Sequence, residues 1–167
     1  SPYTLRRLKT DRSVITDLPD KIEMKTYASL SKKQVVLYED LVEDIKDRLE
    51  RTDGIQRRGI ILSSLMKFKQ LCNHPDQYLG TGAFHEKDSG KFSRLREICE
   101  TIFEKREKAL IFTQFKEMTQ PLHDFMAGIF GRNGLVLHGS VPVKKRKDLI
   151  ESFQDTDGYT PFMVLSL

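Results

Sequence analysis

The chain has 167 residues, of which 38% are hydrophobic and 31% charged, a mixture typical of a globular protein. Its formal net charge of +4 is compatible with nucleic-acid binding but is weak evidence for it. No stretch approaches the roughly 18–20 consecutive apolar residues of a membrane span, and the first residues lack the apolar segment of a signal peptide. Two cysteines argue against a disulfide scaffold. We therefore expect a cytoplasmic, nucleoid or nuclear protein that is not secreted.

The first 88 residues predict an extended segment followed by two helices. Apolar and polar residues alternate over 22–27, a pattern typical of a half-buried strand. Ser31 and Gln34 have the spacing of a capping box, which starts a helix that runs to about Glu50. A second helix is expected from about Arg57 to Cys72 because Pro75 prevents its continuation, and residues 76–88 are expected to be irregular. The apolar positions that should pack in the core are Tyr38, Leu41, Val42, Ile45, Leu49, Ile61, Leu62, Leu65 and Phe68.

The remaining residues alternate between helix and strand. Short apolar runs at 109–113, 135–138 and 162–166 predict buried strands, and the segments that precede them predict helices. Buried strands joined by crossover helices form a parallel α/β sheet with flanking helices. Ligands of such sheets gather at the carboxyl ends of the strands. Those ends are residues 113–114, 138–140 and 166–167.

Motifs for common chemistries are missing. Gly90-Lys91 resembles the end of a phosphate-binding loop, but Phe92 stands where Ser or Thr is needed and His85 replaces the leading glycine. The cysteines and histidines do not have zinc-ligand spacing, so we expect no metal site. A serine-hydrolase elbow is also absent. Taken by itself, the sequence predicts no catalytic residues.

An ordered set of segments resembles the Swi/Snf-type family of helicase-like, ATP-dependent DNA translocases, over the start and middle of their second RecA-like lobe. A single segment would be weak evidence, whereas the ordered set is specific. The matching segments are Leu5-Arg6-Arg7-Leu8-Lys9 with 18–23, Lys69-Gln70-Leu71-Cys72-Asn73-His74-Pro75, Ser89-Gly90-Lys91, 109–115 (motif IV), Leu137-His138-Gly139-Ser140 with Arg146, Ile150 and Phe153, and 162–167 (the strand before motif V).

The resemblance implies a division into a lead-in with a first strand (1–30), a helical insertion (31–88) and a partial C-terminal RecA-like lobe (89–167). It implies double-stranded DNA and the N-terminal motor lobe of the same parent chain as partners. The full-length parent would use ATP and Mg²⁺, but the P-loop and the arginine finger would lie outside these residues. We therefore expect the fragment to hold no cofactor and to hydrolyse no ATP.

DNA-contacting residues are expected at the strand ends and on the helix after the second strand. The alternatives are a polar loop that satisfies its own backbone at 113–114, an ordinary helix cap at 139–140 and a solvated charged face at 144–147. Ser166 matches the start of motif V. The predicted DNA-binding residues are Thr113, Gln114, Gly139, Ser140, Lys144, Lys145, Arg146 and Ser166.

A second group of residues is expected at the interface between lobes or in the framework. Simpler interpretations are surface charge for the N-terminal basic residues, helix capping for Ser89, and a hydrogen bond to backbone for His74. The group comprises Arg6, Arg7, Lys9, His74, Ser89, Gly90 and Lys91.

Two other functions remain open from the residues alone. The first alternative is a lobe of a general helicase that acts on RNA or single strands, although the helical insertion at 31–75 argues against it. The second is a catalytically inert binding module that uses the same fold.

Overall fold

The structure, a computed structural model, describes residues 21–155 and 157–166. None of its described helices is long and apolar enough to cross a membrane. Single 3₁₀ turns at Glu86–Asp88 and Lys116–Met118 accompany the regular elements. In chain order these elements are α1 (Lys32–Glu50), α2 (Gly54–Asn73), α3 (Pro75–Leu79), α4 (Gly90–Glu104), β1 (Ala109–Thr113), α5 (Thr119–Phe130), β2 (Leu135–Leu137), α6 (Val143–Gln154) and β3 (Phe162–Ser166).

Helices α1 and α2 form a hairpin that packs side by side. The capping box predicted at the start of α1 is confirmed: the Ser31 hydroxyl accepts from the Gln34 amide, and the Gln34 side chain accepts from the Ser31 amide. The hairpin core is small and consists of Leu41, Ile45 and Leu71. Such a core buries little apolar surface, so the position of the hairpin depends on further contacts.

The three strands form a parallel sheet in the order β1-β3-β2, which confirms the predicted RecA-like arrangement. Thr113 lies opposite Ser166, and Leu137 lies opposite Leu165. Because all strands run in one direction, their carboxyl ends meet at one edge. Helices α4 and α5 cover the sheet and bury a core that includes Phe92, Met126, Phe130, Phe162 and Val164.

Two predictions of local structure were wrong. Residues 22–27 form no strand, and Ile22, Met24 and Tyr27 are 86–88% exposed. Alternation alone does not make a strand, because a strand needs a neighbour to accept its hydrogen bonds. Residues 76–88 are not irregular throughout, since α3 and a 3₁₀ turn lie there. Pro75 ends α2 as predicted, but it also suits the first position of α3.

The predicted burial of the second helix was also wrong in part. Ile61, Leu62 and Leu65 are 44%, 67% and 53% exposed because α1 packs against a different face of α2. Tyr38, on the predicted core face of α1, is 36% exposed. Cys99 is buried, whereas Cys72 is only partly covered. The helical pattern was thus correct, but the face it buries was not.

Candidate nucleic-acid interface

Polar groups from all three strand ends lie along one edge of the sheet. Thr113 ends β1 directly beside Ser166 of β3, and the loop 138–141 follows β2. Gln114, Gly139 and Ser140 are exposed, whereas Thr113 is buried and Ser166 is partly buried. Parallel pairing therefore brings together residues that are distant in the sequence, as the chain order of the strands predicted.

A side chain at the start of the loop after β1 closes that loop with a local hydrogen bond. The Thr113 hydroxyl accepts a hydrogen bond from the Phe115 amide at 3.2 Å, a local arrangement common for threonine in turns. The Gln114 side chain is left facing outwards, where its Oε1 accepts from the Lys69 ammonium at 3.1 Å. The exposed polar group at this strand end is thus Gln114, together with a lysine from α2.

Arg146 holds the loop that follows β2. Its Nε donates to the Val141 carbonyl and its Nη2 to the Gly139 carbonyl, both at 2.9 Å. Within the loop, the Val141 amide donates to the His138 carbonyl and the Ser140 amide to His138 Nδ1. Two of the five guanidinium donors are therefore engaged with the loop, which fixes Gly139 and Ser140 ahead of α6.

Lysines surround the loop. Lys144 and Lys145 are exposed on the first turn of α6, and Lys147 lies 3.5 Å from Glu151. Lys116, which the sequence analysis did not single out, donates from its ammonium to the Ser140 hydroxyl at 2.8 Å. Its position two residues after Gln114 was the available signal, because residues just beyond a parallel strand reach the same edge.

The residues at 89–91 lie at the junction of the hairpin and the sheet, where Lys91 lines one groove with Thr113 and Gln114. Ser89 caps α4, the Gly90 amide donates to Gln34 Oε1, and the Lys91 ammonium donates to Asn73. A Cβ on Gly90 would come within 1.7 Å of the Ser29 carbonyl oxygen. The amides of Gly90 and Phe92 at the start of α4 thus have acceptors within the protein.

His74 lies in the same junction and is completely buried. Its Nδ1 accepts from the Asp76 amide at 3.1 Å, while Nε2 lies 3.0 Å from the His85 carbonyl. These partners place the ring proton on Nε2, which agrees with the backbone-bonding interpretation. No group of three His, Cys, Asp or Glu residues within 21–155 and 157–166 is arranged to hold a metal ion. Arg6, Arg7 and Lys9 lie outside the described residues.

Asp76 and Asp88 meet one lysine at this junction. The Lys33 ammonium lies 3.2 Å from Asp76 and 2.9 Å from Asp88. Its hydrogen bond to Asp88 raises the pKa of Lys33 and lowers the pKa of Asp88. Burial by itself raises the pKa of Asp76, but hydrogen bonds from Thr81, Lys33 and the Phe84 amide bring it below its usual value. One lysine therefore pairs with two ionised carboxylates at the junction.

Family models match both parts of the chain. The SNF2-related domain matches residues 1–77, and the helicase conserved C-terminal domain matches residues 90–166. The chain belongs to the SNF2-related family. It is 37% identical over 99% of its length to YwqA of Bacillus subtilis, a candidate ATP-dependent helicase/translocase. It is 31% identical over 91% of its length to the human SWI/SNF-related matrix-associated actin-dependent regulator of chromatin subfamily A member 1.

Solved structures agree with the family assignment. The Sulfolobus solfataricus SWI2/SNF2 ATPase core in complex with dsDNA matches 99% of this chain with 37% identity and a TM-score of 0.83. The C-terminal domain of a SWI2/SNF2 ATPase from the same organism matches 89% of it with 34% identity and a TM-score of 0.83. The chain spans 18% of YwqA and 15% of the human protein, and 35% of the ATPase core. This SNF2-related chain thus resembles the C-terminal lobe of such proteins.

Proposed function

We propose that the SNF2-related chain is part of the C-terminal motor lobe of an ATP-driven translocase, and that its sheet edge holds the phosphate backbone of double-stranded DNA. The observation that carries the proposal is the set of lysines at the strand ends, with Lys116 beside Ser140 and Lys69 beside Gln114. Cations and short polar side chains at such an edge suit phosphate oxygens. The related ATPase core described in complex with dsDNA supports this choice of ligand.

The residues divide into two roles within this proposal. Lys116, Lys144 and Lys145 neutralise phosphates, and Gln114 and Ser140 donate hydrogen bonds to them. Arg146 acts through the loop whose carbonyls it binds, so it is a positioning residue. Thr113 and Ser166 shape the strand ends. Gly139, the remaining predicted residue, would contact the phosphates through its backbone.

ATP and Mg²⁺ belong to the full-length protein in this proposal. The amides at Gly90 and Phe92 are bonded to Gln34 and Ser89, so the nucleotide phosphates would be held elsewhere, on the N-terminal motor lobe. The 167-residue chain alone would then turn over no ATP. Residues 1–30, 31–88 and 89–167 would serve as lead-in, helical insertion and lobe, in an intracellular protein that works where DNA is found.

Salt-dependent DNA binding of the chain tests the interface. Lys116→Ala should lower the slope of log affinity against log salt by about 0.9, because one phosphate contact is lost. The matched control is Lys87→Ala, an exposed lysine on the 3₁₀ turn at Glu86–Asp88, which should leave the slope unchanged. Equal losses for the two variants would contradict the assignment of the edge.

The activity itself is tested on the full-length protein. Its rate of ATP hydrolysis should rise when double-stranded DNA is added, and the purified 167-residue chain should show none. Stimulation by RNA or single strands instead of duplex DNA would point to a general helicase. If the full-length protein hydrolyses no ATP, or if its rate does not change when nucleic acid is added, the remaining interpretation is a catalytically inert binding module.

A further inference from the structure

Helix α2 carries apolar side chains on two opposite faces, unlike a typical surface helix. One face, with Ile60, Ser64 and Leu71, packs towards α1. The other face is exposed among the described residues, even though it carries apolar side chains. Ile55 and Leu62 lie on it and are 87% and 67% exposed. A contiguous exposed apolar surface commonly marks an interaction site, so the second face indicates a partner.

The exposed residues form one continuous stripe. They are spaced three and four residues apart, which places them in line along one side of a helix. We call this stripe the outer face of α2, and it consists of Ile55, Arg58, Leu62, Leu65, Met66 and Lys69.

The outer face continues into a groove of about 650 Å³ between α2, α4 and the end of β1. Leu65 and Lys69 belong to both the stripe and the groove, and Leu95 and Phe112 line the groove further along. Phe112 is 56% exposed on β1. An elongated ligand lying on the outer face would therefore find a place for apolar side chains at one end of the stripe.

The charge of α2 selects among possible occupants. Every charged residue of α2 is basic, namely Arg57, Arg58, Lys67 and Lys69. None of the four forms an ion pair within the part of the chain that the structure describes. Lys69 donates a hydrogen bond, but its acceptor is the neutral Gln114 side chain. A second copy of the chain would bring these cations together, and like charges across an interface are costly. DNA would leave the apolar stripe unburied.

We propose that the outer face of α2 is the docking site for an acidic amphipathic helix of a partner protein. The apolar residues of that helix would cover Leu62 and Leu65, and its carboxylates would meet Arg58 and Lys69. This is helix-in-groove recognition with complementary charge. The sheet edge adjoins this surface, because Lys69, Thr113 and Gln114 line the same groove, but Leu62 and Arg58 lie on the stripe outside it.

A designed peptide tests the docking site on the 167-residue chain. The probe is a fluorescein-labelled helix of about five turns, with leucines at positions i, i+3, i+4 and i+7 and glutamates elsewhere. Its control has the same composition with the leucines scrambled. Fluorescence anisotropy should show the probe binding at least about tenfold more tightly than the control, with weaker binding as salt is added.

Two variants of the chain locate the binding surface. Leu62→Glu should weaken probe binding about tenfold, because it removes apolar area and adds a like charge. The matched control is Val143→Glu on α6, where an exposed valine also lies beside lysines, and it should change binding less than about twofold. Circular dichroism confirms that both variants fold.

Four outcomes would overturn the proposal. Equal affinity of the probe and the scrambled peptide would show that the apolar stripe is not recognised. Equal losses for the two variants would place binding elsewhere. A chain that sediments as a dimer and becomes monomeric with Leu62→Glu would assign the face to a second copy. A longer form of the protein that fails to bind the probe, when the 167-residue chain does bind it, would assign the face to another segment of the same polypeptide.

Discussion

The helical hairpin and the sheet region are held by different interactions. The sheet core contains several aromatic rings, and Phe162 lies within 5.6 Å of His123 and 5.5 Å of Phe130, measured between ring centroids. The hairpin core has only Leu41, Ile45 and Leu71. Apolar burial is thus concentrated in the sheet region, which should supply most of the stability of the chain.

The hairpin joins the sheet region through buried polar groups. Gln34 is completely buried, and its amide bonds to the Leu71 carbonyl and to the amides of Ser31 and Gly90. The buried Ser89 hydroxyl donates to the Asn73 carbonyl. Hydrogen bonds are directional and costly to leave unmade, so this junction specifies one orientation of the hairpin although it buries little apolar area.

The largest expected effect lies in the sheet core. Phe162→Ala should lower the free energy of unfolding by about 3–5 kcal/mol, because the side chain is fully buried and leaves a cavity. Urea denaturation followed by circular dichroism measures it. Phe103→Ala is the control, since that ring is 46% exposed and should cost about 1 kcal/mol. Similar losses for both would mean that the sheet core is not the main source of stability.

A smaller effect is expected at the polar junction. Gln34→Ala should cost about 2–4 kcal/mol, because it leaves the Leu71 carbonyl and the Gly90 amide without partners. Hydrogen exchange should show the Gly90 amide losing protection before the strands do. Gln56→Ala changes an exposed glutamine on α2 and should stay within about 0.5 kcal/mol. An unchanged Gly90 amide would show that Gln34 does not hold the junction.

The smallest effect concerns charge at the junction. Lys33→Met should cost about 1 kcal/mol or less at neutral pH, since the lysine side chain is 42% exposed and its ion pairs are screened by water. The lowered pKa values of Asp76 and Asp88 mean that their stabilisation exists above their unfolded values of about 4 and is lost as pH falls further. The raised pKa of Lys33 means that its stabilisation is lost as pH rises beyond about 10.4.

Unfolding measured across this pH range gives the check. The difference between the wild type and Lys33→Met should be largest between about pH 5 and 9 and should shrink below about pH 4. Lys32→Met, on the neighbouring exposed residue, should show no such profile. A difference that stays constant down to pH 3 would rule out ion pairing as its cause.

Local sequence patterns determined most of the elements and their order. Ser31 with Gln34 and Ser89 mark the starts of α1 and α4 because their side chains satisfy the free amides of a first helical turn. The three apolar runs predict the strands because each is short and apolar. The predicted burial was wrong in part for β1, where Leu110 and Phe112 are 51% and 56% exposed. With the ordered motifs, these patterns also predicted the family and the edge of the sheet where polar residues gather.

Only the tertiary structure decided which surfaces meet. Gln34 reaches Leu71, 37 residues away, and Gly90, 56 residues away, and no helical period reports such contacts. The same holds for Lys116 beside Ser140 and for the absence of a strand at 22–27. The hydrophobic periodicity of a sequence describes one helix or strand at a time, whereas the burial of that element depends on the elements packed against it. For α2, which has apolar residues on two faces, the packing of α1 and its other neighbours determines which face is buried and which remains exposed.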